Sequence, residues 1–402
     1  MNRMIEWVDA RYPLMRNMRE HLTEYYAPKN FNFFYFFGSL ALLVLVVQIL
    51  SGIWLTMHYK PDAGMAFASV QHIMRDVNYG WLIRYIHTTG ASAFFIVVYL
   101  HMFRGLMYGS YKQPRELVWL VGMLIFLALM GEAFMGYVLP WGQMSYWGAQ
   151  VIINLFTAIP YVGGGLAEWI RGGFSIADPT LNRLFAFHVV ALPIVLLALV
   201  AVHLIALHEV GSNNPEGVDI KKKKGDDGIP LDGIPFHPYY TVKDIFGAVV
   251  FLFVAAVILF YLPTFHGVFL EHDNLIQANP LKTPAHIKPV WYFGTFYAVL
   301  RAVPDKLTGV VLMFLSIALL FLLPWLDRSK VKSWRFRPIY KQMVILFAIS
   351  FLVLMYIGGQ PPTATYKMFG RIFTVIYFAF FIALPFVSKW EKPKPVPERV
   401  SK

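Results

Sequence analysis

Eight apolar segments, each long enough to cross a lipid bilayer, constrain the fold of this 402-residue chain more than any other feature. A membrane-spanning helix needs about 20 predominantly apolar residues. Barrel strands are about half that length and alternate in polarity, which these segments do not. The segments are 33–57, 82–107, 117–140, 184–208, 245–265, 308–326, 343–359 and 370–388. The sequence therefore predicts an all-α membrane protein with eight transmembrane helices.

The charged residues lie between these segments and indicate how the chain is oriented. Of the 35 Lys and Arg residues, 24 fall in the two terminal segments and in alternate connections. Because basic residues favour the cytoplasmic side, we expect both termini in the cytoplasm. The net charge of +12 then reflects membrane orientation and contact with lipid, and no nucleic acid partner is predicted. The first 32 residues are charged and contain Pro13 and Pro28, so we expect no cleaved signal peptide.

The absence of cysteine limits the chemistry that this chain can perform by itself. Disulfides, thiolate metal sites and iron–sulfur clusters all need cysteine. Covalent haem attachment through a C-x-x-C-H motif needs it as well. Any haem in this protein must therefore be held by non-covalent axial ligands.

Two pairs of histidines lie inside the second and fourth apolar segments: His87 with His101, and His188 with His203. A spacing of 14 residues corresponds to about 21 Å and about 40° around a helix, and 15 residues to about 22 Å and about 60°. Packed side by side, the two helices would place His87 opposite His188 near the outer face and His101 opposite His203 near the inner face. A single intramembrane histidine is often a polar residue bonded to a neighbouring helix. Matched doublets favour two stacked haems, each with two histidine ligands.

Glycines with the same spacing occur in the first and third apolar segments. Gly38 and Gly52, like Gly122 and Gly136, are 14 residues apart. Glycine leaves room for a flat haem because no Cβ intrudes, although small residues also serve helix packing in membranes. The repeated spacing favours the haem interpretation.

Three arginines lie within five residues of one of the four histidines: Arg84, Arg104 and Arg183. Haem propionates are anions, and an arginine near the membrane surface can pair with them. Such an arginine can equally serve membrane orientation or bind a lipid headgroup. We predict the three as haem-binding residues.

Two acids and two long loops are further candidates for parts of a functional site. Glu132 lies deep in the third segment, where a carboxylate either handles protons or bonds a facing helix. Asp244 begins the fifth segment at the inner face, a position that also suits a residue stabilising the helix dipole. The 142–183 and 262–307 loops should fold onto the outer face, and long ordered loops on one face commonly build a site.

The chain resembles cytochrome b of the respiratory complex III, the ubiquinol:cytochrome c oxidoreductase, over nearly its whole length. The resemblance rests on the histidine pairs and on five strings of sequence. The strings are RDVNYGW (75–81), GYVLPWGQMSYWGA (136–149), GSNNP (211–215), PYYTVKD (238–244) and PVWY (289–292). It implies a bundle in which the first four helices hold two haem b groups.

The resemblance also implies roles for individual residues. His87 and His188 would bind the low-potential haem, and His101 and His203 the high-potential haem. The outer quinol-oxidation pocket would be lined by Phe134, Tyr137, Gly148, Pro289, Trp291, Tyr292 and Tyr297. The inner quinone-reduction pocket would use His208, Ser212, Lys243 and Asp244. A carboxylate such as Asp244 near a histidine can deliver protons to a reduced quinone.

Two departures from the family pattern matter. Val290 stands where the family usually has a glutamate that accepts a proton from the quinol, and valine cannot do this. Glu271 and Glu132 are the acids that we predict to replace it, although a loop carboxylate such as Glu271 can equally be merely solvated. The 15-residue spacing of His188 and His203 resembles the photosynthetic relatives. Those relatives divide this sequence between two polypeptides, so the continuous chain favours the bacterial respiratory complex.

The function implied is that ubiquinol is oxidised at the outer site and its two electrons separate. One would go to a mobile Rieske-type iron–sulfur subunit, and the other through both haems to quinone at the inner site, with proton translocation in a Q cycle. A membrane-anchored c-type cytochrome and a second copy of the complex are the further partners implied. The implied location is the bacterial inner membrane.

We divide the chain into five regions on this basis. They are a cytoplasmic N-terminal segment (1–32), a dihaem four-helix bundle (33–209), a cytoplasmic connection (210–243), a C-terminal four-helix region (244–388) and a cytoplasmic tail (389–402).

Two other functions stay open at this level. A dihaem b anchor subunit of a membrane dehydrogenase would need only one quinone pocket. An ion transporter would use the intramembrane histidines and acids as an ion path, but we find no inverted repeat or interrupted helix pair in the sequence.

Overall fold

A computed structural model describes residues 3–401 and contains a long helix at each of the eight predicted segments. The helices are α1 (Phe36–Thr56), α2 (Gly80–Tyr108), α3 (Glu116–Val138), α4 (Asp178–Val210), α5 (Tyr239–Tyr261), α6 (Lys306–Phe321), α7 (Pro338–Gly358) and α8 (Ala364–Trp390). Seven of them are long and apolar enough to span a membrane. The eighth, α6, has 16 residues and is followed by a short helical turn at Leu323–Leu326. The predicted class, an all-α membrane protein, is confirmed, whereas the count of eight spans and the four-helix bundle around two haems stay predictions.

Contacts between the connections show that α6 also passes from one side of the bundle to the other. Lys112, between α2 and α3, lies 2.8 Å from a carboxylate oxygen of Asp327, between α6 and α7. On the opposite side, the hydroxyl of Ser145 donates a 2.8 Å hydrogen bond to Asn274 and so joins the 142–183 and 262–307 loops. Because α6 connects the second loop to Asp327, it runs between these two sides of the bundle.

Both terminal segments lie on the same side as the connection between α4 and α5. Lys29 Nζ and Arg399 Nη2 each lie 3.0 Å from Asp232 Oδ1 of that connection. A short antiparallel sheet pairs β1 (Tyr26–Pro28) with β2 (Gly233–Pro235). A chain whose two ends lie on the same side of a bilayer crosses it an even number of times. The sheet was not predicted, because three-residue strands carry no pattern that hydrophobicity can show.

The remaining elements are short and lie in the N-terminal segment and the connections, except for one π-helical turn within α4. Further α-helices are Arg3–Asp9, Leu14–Met18, Ala66–Arg75, Gln143–Phe156, Gly163–Arg171 and Gly294–Arg301. Single 3₁₀ turns are Phe33–Tyr35, Ile220–Lys222, His272–Leu275, Trp291–Phe293 and Trp334–Phe336, and π-helical turns are Arg19–Thr23 and Phe187–Ala191. Three of these α-helices lie in the two outer loops, which are therefore folded as predicted.

Apolarity alone does not separate lipid-facing from core helices. In the most apolar part of α5 none of the residues is buried, whereas 44% are buried in α2. The bundle core is rich in aromatic residues contributed by α2, α7 and α8, including Phe95, Phe351 and Tyr377. A helix facing lipid and a helix facing other helices are both apolar, so only packing distinguishes them.

Candidate functional site

The four predicted histidines meet in two pairs between α2 and α4. The ring centroids of His87 and His188 are 6.1 Å apart, and those of His101 and His203 are 6.4 Å apart. Imidazole–metal bonds are about 2 Å long, so two rings ligating one ion from opposite sides have their nitrogens about 4 Å apart and their centroids about 2 Å farther apart. Both separations fit one iron between each pair of rings. The residues present therefore fit the haem groups that the sequence predicts.

A π-helical turn at Phe187–Ala191 carries His188. Such a turn places one extra residue in an α-helix and often marks a functional position. It accommodates the additional residue between His188 and His203, so that both rings face the α2 histidines despite a spacing of 15 rather than 14.

Each of the four predicted glycines faces one of the four histidines. A Cβ on Gly52 would lie 3.2 Å from the His87 ring. On Gly136 it would lie 2.9 Å from Nε2 of His188. The inner pairs are alike: a Cβ on Gly38 would lie 3.4 Å from the His101 ring, and one on Gly122 would lie 3.2 Å from the His203 ring. The glycines thus leave room for the ligand rings themselves, which is more specific than the general clearance predicted.

A cavity of about 290 Å³ surrounds the outer histidine pair. His87, His188, Gly52 and Gly136 line it together with Arg84, whose side chain is buried. The walls are otherwise mainly apolar and come from α1, α2, α3 and α4. A flat apolar group with charged edges suits these walls.

The other two predicted arginines have different surroundings. The guanidinium carbon of Arg104 lies 4.8 Å from the ring centroid of Tyr35, near the inner pair. Arg183 donates a hydrogen bond to the backbone oxygen of Trp169 in the 142–183 loop. Arg183 is thus bound to the outer loop, and its role as a haem-binding residue stays a prediction.

The Nδ1 atom of each outer histidine contacts a residue of α1 or α3. The Ser51 hydroxyl lies 3.0 Å from Nδ1 of His87. Nδ1 of His188 lies 3.0 Å from both the backbone oxygen and Oε1 of Glu132. Sequence reasoning missed Ser51, although it directly precedes Gly52.

The outer cavity continues toward the 262–307 loop, where the predicted acid Glu271 lies. Tyr137 OH donates a 2.8 Å hydrogen bond to Oε2 of Glu271, whose residue is only 5% exposed. Burial raises the pKa of Glu271 above its ordinary value, although the Tyr137 hydrogen bond acts to lower it. Tyr137, Val290 and Tyr292 all line the same cavity. Glu271 is therefore a buried, hydrogen-bonded carboxyl group and not a solvated one.

The aromatic residues of the PVWY string are held against α2. Trp291 Nε1 donates a 2.9 Å hydrogen bond to Ser92 Oγ. The ring of Tyr292 stacks on Phe95 with centroids 4.0 Å apart. Pro289 directly precedes Val290, which is 3% exposed.

The other outer residues predicted from the resemblance lie around Tyr137 or farther along the chain. A Cβ on Gly148 would lie 3.8 Å from the Tyr137 ring, an ordinary contact. Phe134 packs against a cluster of buried apolar residues that includes Val138 of α3 and Tyr146 and Ile153 of the 142–183 loop. Tyr297 lies in the helix Gly294–Arg301, with the Arg301 guanidinium carbon 4.7 Å from its ring centroid.

Asn274 is an outer-site residue that the sequence did not indicate. Its Oδ1 accepts hydrogen bonds from the amide and the hydroxyl of Ser145, at 2.9 and 2.8 Å. Its Nδ2 has no partner within residues 3–401, and the residue lines the outer cavity. Its position three residues after Glu271 in the loop was the signal that could have indicated it. An isolated asparagine has no diagnostic pattern.

On the inner side, His208 lies beneath two residues of the N-terminal segment. The ring centroid of Tyr25 is 4.7 Å from that of His208, and the centroid of His21 is 5.1 Å away. Tyr25 OH is 3.4 Å from Ser212 Oγ. The structure thus joins His208 and Ser212 through Tyr25, which the sequence did not predict.

The other two predicted inner residues begin α5. Lys243 Nζ lies 5.1 Å from the Tyr240 ring centroid. Asp244 follows in the same turn. An aromatic series connects this turn with the first group, because Phe236 lies 5.9 Å from Tyr240 and 6.2 Å from Tyr25 between ring centroids.

Seven described helices that are long and apolar enough to cross a membrane, with histidines paired between α2 and α4, define a haem-binding integral membrane protein of electron transport. Comparison with family models gives the particular family. Residues 22–211 match the model described as Cytochrome b/b6/petB, and residues 277–378 match the one described as Cytochrome b(C-terminal)/b6/petD. The chain belongs to the cytochrome b family.

Individual relatives match nearly the whole of this chain. Cytochrome b of Allochromatium vinosum is 59% identical, over 99% of this chain and 98% of that protein. The protein named Cytochrome b/c1 of Bradyrhizobium diazoefficiens is 48% identical, over 100% of this chain and 57% of its own length. A solved structure titled Hyperthermophilic respiratory Complex III matches with a TM-score of 0.89 and 43% identity, covering 96% of this chain and 99% of that one. The resemblance inferred from the five strings is confirmed.

Proposed function

We propose that this chain is the dihaem membrane subunit of a respiratory ubiquinol:cytochrome c oxidoreductase. It would oxidise ubiquinol at the outer site and reduce quinone at the inner site, with electron bifurcation and proton translocation. The observation that carries the proposal is the single outer cavity lined by both His87 and His188 and by Tyr137, Val290 and Tyr292. Two b haems, when bound, would supply one-electron chemistry at the two histidine pairs.

At the outer site, the residues of the chain would bind ubiquinol and accept its proton. Glu271 is the acid best placed for this, since its carboxylate is bonded to Tyr137 on the cavity wall. A general base must lie within hydrogen-bond reach of the proton that it removes. Glu132 also lines the cavity, but its contacts are with His188. In the family pattern a glutamate at the position of Val290 accepts the quinol proton. We therefore assign this proton-accepting role to Glu271.

Between the two sites, the chain would hold the redox groups at a fixed separation. The 14 residues from His87 to His101 correspond to about 21 Å along α2. The facing glycines and the π turn of α4 keep the four rings in register. The low-potential group would be at His87 and His188, and the high-potential group at His101 and His203.

At the inner site, His208, Ser212, Lys243 and Asp244 would bind quinone and supply its protons. Tyr25 supports this proposal because it contacts both His208 and Ser212. A mixture of imidazole, hydroxyl, ammonium and carboxyl groups suits a substrate with two carbonyl oxygens that take up protons.

Other subunits must complete the electron path. The chain has no cysteine and so cannot hold an iron–sulfur cluster or a covalent c-type haem. The solved relative is a respiratory Complex III, and the Bradyrhizobium relative is named Cytochrome b/c1. We propose a Rieske-type iron–sulfur subunit and a membrane-anchored c-type cytochrome as partners, in a homodimeric complex. The shared side of both termini would be the cytoplasm, with the complex in the bacterial inner membrane.

The test is a redox titration of the purified complex followed by an activity assay. We expect reduced-minus-oxidised spectra to resolve two b haems of different potential, and ubiquinol to reduce cytochrome c. Replacing His208 with Asn should slow reoxidation of the haems by quinone while leaving the outer reaction intact. One b haem or none would contradict the proposal. Two haems without cytochrome c reduction would favour the dehydrogenase anchor subunit.

A further inference from the structure

The surroundings of the four histidine ligands are chemically unequal. Nδ1 of His87 lies 3.0 Å from the Ser51 hydroxyl oxygen. That hydroxyl donates a 2.7 Å hydrogen bond to the backbone oxygen of Val47. Within residues 3–401, His188 is the one of the four that contacts a carboxylate, with Glu132 Oε1 3.0 Å from its Nδ1. The sequence raised Glu132 only as an acid for the quinol proton or a bond to a facing helix.

Glu132 is held in this position by α3. It lies one helical turn before Gly136, so both residues face the same ring of α4. Gly136 leaves the space that the His188 ring occupies, and a carboxylate oxygen of Glu132 lies within hydrogen-bond distance of Nδ1 of that ring. The two side chains are largely buried, at 14% and 18% exposed for His188 and Glu132. In such an environment a hydrogen bond to a carboxylate is stronger than in water.

We propose that Glu132 is a positioning residue for His188 that fixes the ring tautomer and lowers the midpoint potential of the outer haem. This inference rests on the proposed dihaem function. A carboxylate that accepts the Nδ1 proton raises the electron-donating strength of the imidazole toward a metal. Stronger donation stabilises the ferric form over the ferrous form. Second-shell hydrogen bonding is one of the established means by which a protein sets a haem potential.

The backbone oxygen of Glu132 makes this role separable from haem binding. It lies 3.0 Å from the same Nδ1, so the ring keeps an acceptor when the carboxylate is removed. The substitution Glu132→Gln preserves the shape of the side chain and removes its charge. The substitution Glu132→Leu removes both the charge and the side-chain acceptor. Both variants should therefore retain two haems and a folded bundle.

The experiment is a redox titration of both b haems in the purified complex, with an electron paramagnetic resonance spectrum of the ferric outer haem. We expect both variants to raise the outer midpoint potential by about 59 mV, a tenfold change in a one-electron equilibrium, and to shift the outer ferric signal. The midpoint potential of the inner haem should be unchanged. Glu116→Gln is the matched control, because Glu116 lies in the first turn of the same helix, 16 residues earlier. It should leave the outer potential unaltered.

Three outcomes would overturn the inference. The first is an unchanged outer potential in both variants with both haems bound. The second is an equal shift of both haems, which would indicate a general structural effect. The third is loss of the outer haem from Glu132→Gln, which would make the carboxylate a requirement for binding. If the unsubstituted complex itself holds fewer than two b haems, the proposed function fails instead.

Discussion

The phenol hydroxyl of Tyr137 donates a 2.8 Å hydrogen bond to Oε2 of Glu271 across 134 residues of sequence. This bond joins α3 to the 262–307 loop at the wall of the outer cavity. Val290, the valine of the PVWY string, lines the same cavity. The Glu271 carboxyl group therefore lies at the wall of the cavity even though residue 290 is apolar. This geometry supports the proposal that Glu271, from an earlier part of the loop, takes the place of the usual acid.

Replacing Glu271 with Gln should lower the rate of quinol oxidation by about 100-fold, a typical contribution of one general base. Burial raises the pKa of Glu271, and only the ionised carboxylate can accept a proton. The native rate should therefore rise with pH through this raised pKa, and the rise should be absent in the variant. Steady-state rates of cytochrome c reduction across pH measure both effects. Glu168→Gln, an exposed glutamate of the 142–183 loop, is the control. Equal pH profiles of native protein and Glu271→Gln would exclude Glu271 as the acceptor.

Replacing Tyr137 with Phe removes the hydrogen bond but retains the ring. Because that bond acts to lower the pKa of Glu271, its loss should raise the pKa further. The rising limb of the pH–rate profile should then move to higher pH, with a nearly native rate at its plateau. A profile that shifts to lower pH would show that Tyr137 does not stabilise the carboxylate.

Replacing Gly136 with Ala should remove the outer haem and leave the inner one. The new Cβ would lie 2.9 Å from His188 Nε2, closer than real Cβ contacts, and would displace the ring. Gly131→Ala on the same helix is the matched control, because its Cβ would lie 3.5 Å from Leu192, an ordinary contact. Pyridine haemochrome assays and reduced spectra give the haem content. Two intact haems in Gly136→Ala would contradict the assigned contact.

Replacing Asp327 with Asn should destabilise the inner face by about 3–5 kcal/mol, the usual cost of breaking a buried ion pair. Arg337 Nη1 lies 2.7 Å from Asp327, and both side chains are fully buried. Lys112 lies 2.8 Å from the same carboxylate. Thermal unfolding in detergent measures the loss. Arg335→Met, which breaks a 3.9 Å pair of a half-exposed arginine with Glu216, should cost about 1 kcal/mol or less.

The same carboxylate predicts a dependence of stability on pH. Burial acts to raise the pKa of Asp327, but Lys112 and Arg337 outweigh it and hold the pKa below its ordinary value of 3.8. A depressed pKa contributes stability that is present above the unfolded-state value and is lost as the pH falls through the folded-state value. The difference in the free energy of unfolding between the native protein and Asp327→Asn should therefore shrink below pH 3.8. A constant difference from pH 7 downward would show that the ion pair is not its source.

Local patterns determined most of what the sequence by itself established. Runs of apolar residues define the eight helices, because the thickness of a bilayer fixes the length of a span. The histidine and glycine spacings predict the haem ligands and the helices beside them, since the helical rise converts residue number into depth. Family strings such as PVWY extend this to the quinone sites by resemblance.

Only the tertiary structure decided which side chains meet across distant segments. The π turn that carries His188 absorbs the fifteenth residue of its spacing. Glu132 contacts His188 across 56 residues, and Tyr25 contacts Ser212 across 187. Arg183 bonds a loop carbonyl although its sequence position resembles that of Arg84. Such contacts depend on how helices pack and rotate against each other, and the periodicity of one helix does not fix the rotation of its neighbours.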